Sequence, residues 1–325
     1  MTVRIFLVFL RFLFRIKPMT ERYLNYNTVL KNEFTERIQK LSINAGFTCP
    51  TRDGSMAKFG CTYCNNKSFT PSYSRPSKTI TQQIEEGIDF FHHKYENQYY
   101  LAYFQSYTNT YDAIENLIAI YDEALQHPKI KGLVIGTRPD CISDELLDYF
   151  AELSKKYYIM IEYGVESTCD KTLEFIDRGH TYACAEEAIL KTTSRNIRCG
   201  AHLILGLPHE DRETLLSHAE KLSKLPLTAL KIHQLQLIRG TVMSRQYAEN
   251  PEGFNLFTAE EYIDLVIDFV ERLNPSIAIE RFISQSPKNL LIAPDWGLKN
   301  FEFVELFRKR IEERDTWQGR LWKYE

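Results

Sequence analysis

The chain has 325 residues, 44% of them hydrophobic, and a formal net charge of −3. That is the composition of a globular chain with enough apolar material for one sizeable α/β core or two smaller ones, and its overall charge carries no nucleic-acid footprint. Seven cysteines, an odd number at low density with no convincing secretory signal, exclude a disulfide framework and point to a reducing, cytoplasmic setting.

Residues 5–14, IFLVFLRFLF, are apolar but only ten long and broken by Arg11. A spanning helix needs about 20 apolar residues, so no stable membrane insertion is expected. Residues 1–18 read as a mis-called start ahead of Met19, with an interfacial helix as the alternative. A strand is expected over 38–43, followed by an irregular loop over 44–66. Ile80, Ile84, Ile88, Phe91 and Tyr95 then mark one face of a helix, capped by Ser77 or Thr79. Residues 99–104 read as a buried strand.

The alternation continues with helices over 111–125, 144–155, 170–176, 182–195 and 210–224. Strands fall at 131–136, 159–165, 197–205 and 229–236. Strands alternating with helices of this length pair in parallel through right-handed crossovers. Six such units fall short of the eight that close a barrel. The expected fold is α/β: a partial (β/α)6 TIM-type barrel over residues 19–236. Residues 237–325 form an α/β extension covering it. In that extension, 237–257 reads as a long connection, 277–283 as a strand and 300–313 as a final helix.

The loop over 44–66, NAGFTCPTRDGSMAKFGCTYCNN, holds Cys49, Cys61 and Cys64 in a C-x11-C-x2-C pattern. Thiolates this close repel unless a metal neutralises them or they oxidise. A disulfide conflicts with the expected compartment. Structural zinc wants four ligands, and no second close pair follows. A cubane iron–sulfur cluster takes four thiolates; three would leave one iron open for chemistry. The loop is also basic, with Arg52, Lys58, Lys67, Arg75 and Lys78 against Asp53. Offsetting a thiolate-bound cluster is the first reading of that charge, and attracting an anionic partner the second.

Three cysteines after the first strand, the last preceded by Tyr63, resemble the radical S-adenosylmethionine (radical SAM) superfamily, although the usual spacing there is C-x3-C-x2-C. The long spacing in GFTCP and GCTYCN, with YLAYFQSYTNT, GTRPDC, EYGVEST, DKTLEFIDRGH and HLILGLPHE, resembles its YhcC-like branch, related to the Elongator-type proteins. The resemblance implies a [4Fe–4S] cluster on Cys49, Cys61 and Cys64, with S-adenosylmethionine (SAM) on the fourth iron. Reductive cleavage would yield a 5′-deoxyadenosyl radical that abstracts hydrogen from a substrate. A low-potential donor such as flavodoxin or ferredoxin would supply the electron. RNA is one candidate substrate, beside a small metabolite or a peptide. A non-catalytic zinc or iron–sulfur protein on the same scaffold is the rival reading.

The resemblance also implies cofactor contacts. Tyr63 matches the aromatic that packs near adenine. Gln105 matches by position the methionine-binding end of strand two. Glu162, four residues from Glu166 on one face of a strand, has a carboxylate for ribose hydroxyls or the adenine amine, or for a salt bridge. Arg178 offers a planar fork to the SAM carboxylate, or an ion pair to Asp177 or Glu174. Gly206 matches the glycine that lets backbone approach adenine. Arg138 and Asp140 are candidate substrate contacts. Cys141, Cys169, Cys184 and Cys199 read as small buried residues. No catalytic residue beyond these is assigned.

Overall fold

The computed structural model describes residues 21–92 and 98–323; the reading of 1–18 lies outside them. The strands are β1 (Arg37–Ile43), β2 (Gln98–Phe104), β3 (Ile130–Thr137), β4 (Tyr158–Glu166), β5 (Arg198–Leu205), β6 (Ala229–Gln234), β7 (Leu237–Ile238), β8 (Ala278–Arg281) and β9 (Leu291–Ala293). Seven of them form one parallel sheet in the order β1-β2-β3-β4-β5-β6-β8, while β7 and β9 pair antiparallel. All six expected barrel strands stand in sequence order. The extension adds a seventh, because Ala278 and Ile279 pair with Ala229 and Leu230 of β6. The sheet curls enough that Lys40 of the edge strand β1 reaches Glu280 of the other edge strand, β8, at 2.7 Å across the interior. This is a partial TIM-type barrel.

The helices are α1 (Tyr26–Glu33), α2 (Ile80–His92), α3 (Ile114–Gln126), α4 (Asp144–Ser154), α5 (Asp170–Phe175), α6 (Tyr182–Ser194), α7 (Arg212–Leu222), α8 (Val242–Glu249), α9 (Ala259–Arg272) and α10 (Asn300–Glu313). Thr79 caps α2, accepting from the Gln82 amide. α3 starts later than its pattern suggests, because 108–111 is a turn in which the Tyr111 amide donates to the Thr108 carbonyl. Helix α8 lies inside the expected connection. Only Met243 of it is buried, so it shows no apolar period, and the Thr241 hydroxyl starts it by accepting from the Ser244 amide. No described helix is long and apolar enough to cross a membrane.

Both faces of the sheet are covered, so its strands are apolar almost throughout. On β4, Ile159, Ile161, Tyr163 and Val165 point outward into the main core with Leu147, Phe150 and Ile189 of the helices. Each such side chain contributes about 1.5–3 kcal/mol by leaving water. Tyr158 and Met160 point the other way, into a small second core with Leu101, Ala229 and Ala278, closed below by Tyr26 and Leu30 of α1. The barrel interior is thus plugged at its amino-terminal end. The same inward row continues upward through Glu162, Gly164 and Glu166 to the open end.

Candidate functional site

Above the plug lies a cavity of about 240 Å³. Cys49, Cys61, Cys64, Tyr63, Gln105, Glu162 and Arg178 all line it; Gly206 does not. Gly206 has a φ of +96°, and a Cβ there would meet the Phe257 ring at 3.3 Å. Its freedom serves the turn after β5 and the packing of the extension.

The eleven residues between the first two cysteines form a folded-back excursion. The Gly60 amide donates to the Thr51 carbonyl at 2.8 Å, and the Met56 amide to the Pro50 carbonyl at 2.9 Å. The long spacing therefore returns the chain to its starting point. Arg52 clips the two ends together: its amide donates to the Cys49 carbonyl and its guanidinium to the Cys64 carbonyl, both at 2.8 Å. Gly60, at φ +75°, leaves the space this guanidinium needs, since a Cβ would stand 2.7 Å from it. Elsewhere in the basic stretch, Lys78 pairs with Glu86 and Arg75 donates to the Ser72 carbonyl. The loop is anchored on both sides, with the Thr62 amide on the Ile176 carbonyl and the Met243 amide on the Thr62 carbonyl.

Each thiol has a polar neighbour. Thr108, at the end of the Gln105 turn, donates to Cys49 Sγ at 2.9 Å. Arg178 and Arg138 stand 3.6 and 4.0 Å from Cys61 Sγ. The Asn66 amide is 3.8 Å from Cys64 Sγ. Burial pushes the Cys49 thiol up and Cys64 to about 11, against the pull of nearby Arg52 on Cys64. A metal must displace the protons of Cys49 and Cys64 to bind them. Gln105 accepts from the Ser42 hydroxyl at 3.3 Å.

Arg178 pairs with neither Asp177 nor Glu174. It donates to the Gly164 carbonyl at 2.6 Å and lies 3.8 Å from Glu166. Gly164 makes room, because a Cβ there would sit 2.5 Å from the guanidinium. The Arg178 Nε is buried without a hydrogen-bond partner. Arg138 grips Asp140 at 2.7 and 2.9 Å and donates to the Arg178 carbonyl, so this pair supports the loop end.

Below the thiols lies a ring of charge. Glu162 takes Lys40 on one oxygen at 2.8 Å, and Lys231 and His202 on the other at 2.6 and 3.0 Å. Glu280 takes Lys40 at 2.7 Å and Lys231 at 3.1 Å. Burial alone would raise Glu162; Lys231, then Lys40 and His202, outweigh it and hold the carboxyl well below its usual range. Burial lowers Lys231 to about 8 despite both carboxylates. The salt-bridge role is the one this structure gives Glu162: its oxygens are already engaged. Lys40, His202, Lys231 and His233 are not apparent as site residues from the sequence. The signal for two of them is the alternation in KIHQ, which sets Lys231 and His233 two apart on a strand otherwise buried.

The seven cysteines are free. Cys199 is buried as expected, but Cys141, Cys169 and Cys184 are only half-buried, and none of these four lines the cavity. Among the described residues no three His, Cys, Asp or Glu side chains are grouped to hold one metal ion. The thiols instead ring a cavity, with cationic groups beside them. That donor set suits a cluster carrying a separate iron for each thiolate better than a lone zinc.

A model of the radical SAM superfamily matches residues 55–222, and one of the radical SAM C-terminal domain matches 227–313. The chain belongs to the radical SAM superfamily. Cys49 precedes the matched stretch, so its membership of the trio rests on the cavity. The uncharacterised protein YtqA of Bacillus subtilis is 32% identical over 303 residues, covering 93% of this chain and 94% of its own. YhcC of Escherichia coli is 31% identical over 269 residues, covering 82% and 85%. Among solved structures, an archaeal Elp3 from Methanocaldococcus infernus superposes with a TM-score of 0.65 at 16% identity. That match covers 87% of this chain and 64% of the Elp3 chain, and it speaks for the fold alone. The YhcC-like resemblance of the motifs agrees with the first two relatives.

Proposed function

We propose that this radical SAM protein is an enzyme that holds a [4Fe–4S] cluster on Cys49, Cys61 and Cys64 and cleaves SAM reductively beside it. The observation that carries this reading is the gathering of those three thiols, and no fourth, around one cavity. When bound, cluster and SAM supply a 5′-deoxyadenosyl radical able to take hydrogen from a substrate C–H bond. The chain's own residues do the rest. Arg178, with a donor to spare, orients a carboxylate of the cofactor. Tyr63 offers an aromatic face and Gln105 an amide to the same cavity. Thr108, Arg138 and Arg178 hold the thiolate end electrostatically and limit water there. The reaction runs in the cytoplasm with a low-potential donor such as flavodoxin or ferredoxin.

RNA is the substrate class favoured here. Phe69 and Tyr107 are 39% and 36% exposed and line the same cavity. Arg52 stands 5.9 Å from the Tyr107 ring. Exposed aromatics beside a guanidinium suit an unstacked base. The test is anaerobic reconstitution followed by reduction with SAM. Iron and sulfide near four per chain and formation of 5′-deoxyadenosine, stimulated by an RNA pool, are expected. Zinc without sulfide would leave only the rival binding-protein reading.

A further inference from the structure

The charged ring inside the barrel balances without help. Two carboxylates, Glu162 and Glu280, meet two ammonium groups, Lys40 and Lys231, in four ion pairs of 2.6–3.1 Å. One cation is left over. Arg281, the last residue of β8, lines the cavity with Lys231, His233 and Gln234. It is half-buried. Among the described residues its guanidinium has no hydrogen-bond partner, and no carboxylate comes within ion-pair distance. A guanidinium cannot shed its proton, so it cannot escape the cost of burial by neutralising. Glu280 does not serve it: its two oxygens are engaged by Lys40 and Lys231.

A group beside it is buried and unsatisfied. His233 Nδ1 meets the Ser284 hydroxyl, but its Nε2 is buried with no partner. The two rings His202 and His233 lie 5.4 Å apart, and His202 is committed to Glu162. His233 therefore has one nitrogen free. A hydroxyl can donate or accept, so Ser284 can donate to Nδ1 and leave Nε2 as an N–H donor. The β8 side of the cavity then presents a guanidinium fork and a donor imidazole with no acceptor between them.

We infer that Arg281, with His233 beside it, forms a subsite for an anionic group of the substrate, a carboxylate or a phosphate. The fork matches either group bidentately. The subsite lines the same cavity as the cysteines, so it would hold one end of a substrate whose reacting C–H faces the loop. This placement rests on the cavity being the substrate chamber. Arg281 also borders an outer groove lined by Tyr23, Phe282 and Glu305.

The test is calorimetric titration of the full-length, anaerobically reconstituted protein with inorganic phosphate and, separately, with acetate. At least one should bind the parent chain, and Arg281→Gln should weaken it by about tenfold or more. Arg281→Lys should lose less, and His233→Gln should also weaken it; these two carry the test if Arg281→Gln does not fold. The tighter anion tells carboxylate from phosphate. Equal affinity in parent and Arg281→Gln, or no binding of either anion to the parent, overturns the subsite. A chain that binds the anion through Arg281 but assembles no cluster would keep the subsite and remove the radical reading. One that forms 5′-deoxyadenosine yet binds neither anion would do the reverse.

Discussion

The cysteine loop and the charged ring, which reaches it through Glu162 and Lys231, border one cavity but are built in opposite ways. The loop is a single stretch of chain whose backbone amides and carbonyls close on one another, from Cys49 to Arg52 and from Thr51 to Gly60. The ring draws Lys40, Glu162, Lys231 and Glu280 from four strands far apart in sequence. A locally closed loop can lose a side chain and keep its shape. A ring assembled across strands cannot, because losing any one member leaves the opposite charge in excess inside the barrel.

The sharpest contrast comes from one substitution in each region. Cys61→Ala should leave the fold intact but abolish chemistry, with reconstituted iron falling from about four to below about one per chain and no 5′-deoxyadenosine formed. Iron analysis beside a thermal melt reads both halves. Glu162→Ala should do the reverse, costing about 3–5 kcal/mol by leaving two buried ammonium groups short of a counter-charge. Chemical denaturation measures this, and a loss below about 1 kcal/mol would show that the ring relaxes locally as the loop does.

A smaller effect should appear with pH. The folded Glu162 carboxyl is held well below its usual range, so its stabilisation is fully present above the unfolded value of about 4.3. It is lost as pH falls from there toward the folded value. Urea midpoints between about pH 5 and about pH 3.5 should fall less steeply for Glu162→Gln than for the parent. A steeper fall in the variant would break the assignment. Smallest of all, Thr258→Ala removes the hydroxyl that caps α9 in a reciprocal box with Glu261. It should cost about 1 kcal/mol, without touching iron content, because α9 contributes no wall of the cavity.

The same contrast explains what could be read from sequence. The thiols, Tyr63 and the turn glycines are neighbours in the chain, so their chemistry shows in one stretch. Arg178 was legible as a fork near the site, but its partner Glu166 was not, since the pairing depends on the left-handed φ of +65° at Glu166 and on the room Gly164 leaves. The six strands followed from alternation. The seventh was visible as an apolar run, yet nothing local says that 278–281 joins β6. Lys40 gave no signal at all: a lysine near the start of a strand is ordinary until the barrel curls and carries Glu280 to it. Helix α8 escaped because a polar surface helix has no apolar stripe to betray it.

The Lys40–Glu280 bridge joins the first strand of the barrel to its last. During synthesis residue 280 emerges late, after all six other sheet strands have been made. Until then two lysines must share the single carboxylate of Glu162, and the nascent interior carries one positive charge too many. The carboxy-terminal part of the chain is therefore what makes the half-built barrel electrically neutral, and a fragment released before residue 278 should stay open and prone to aggregate rather than fold as a smaller domain.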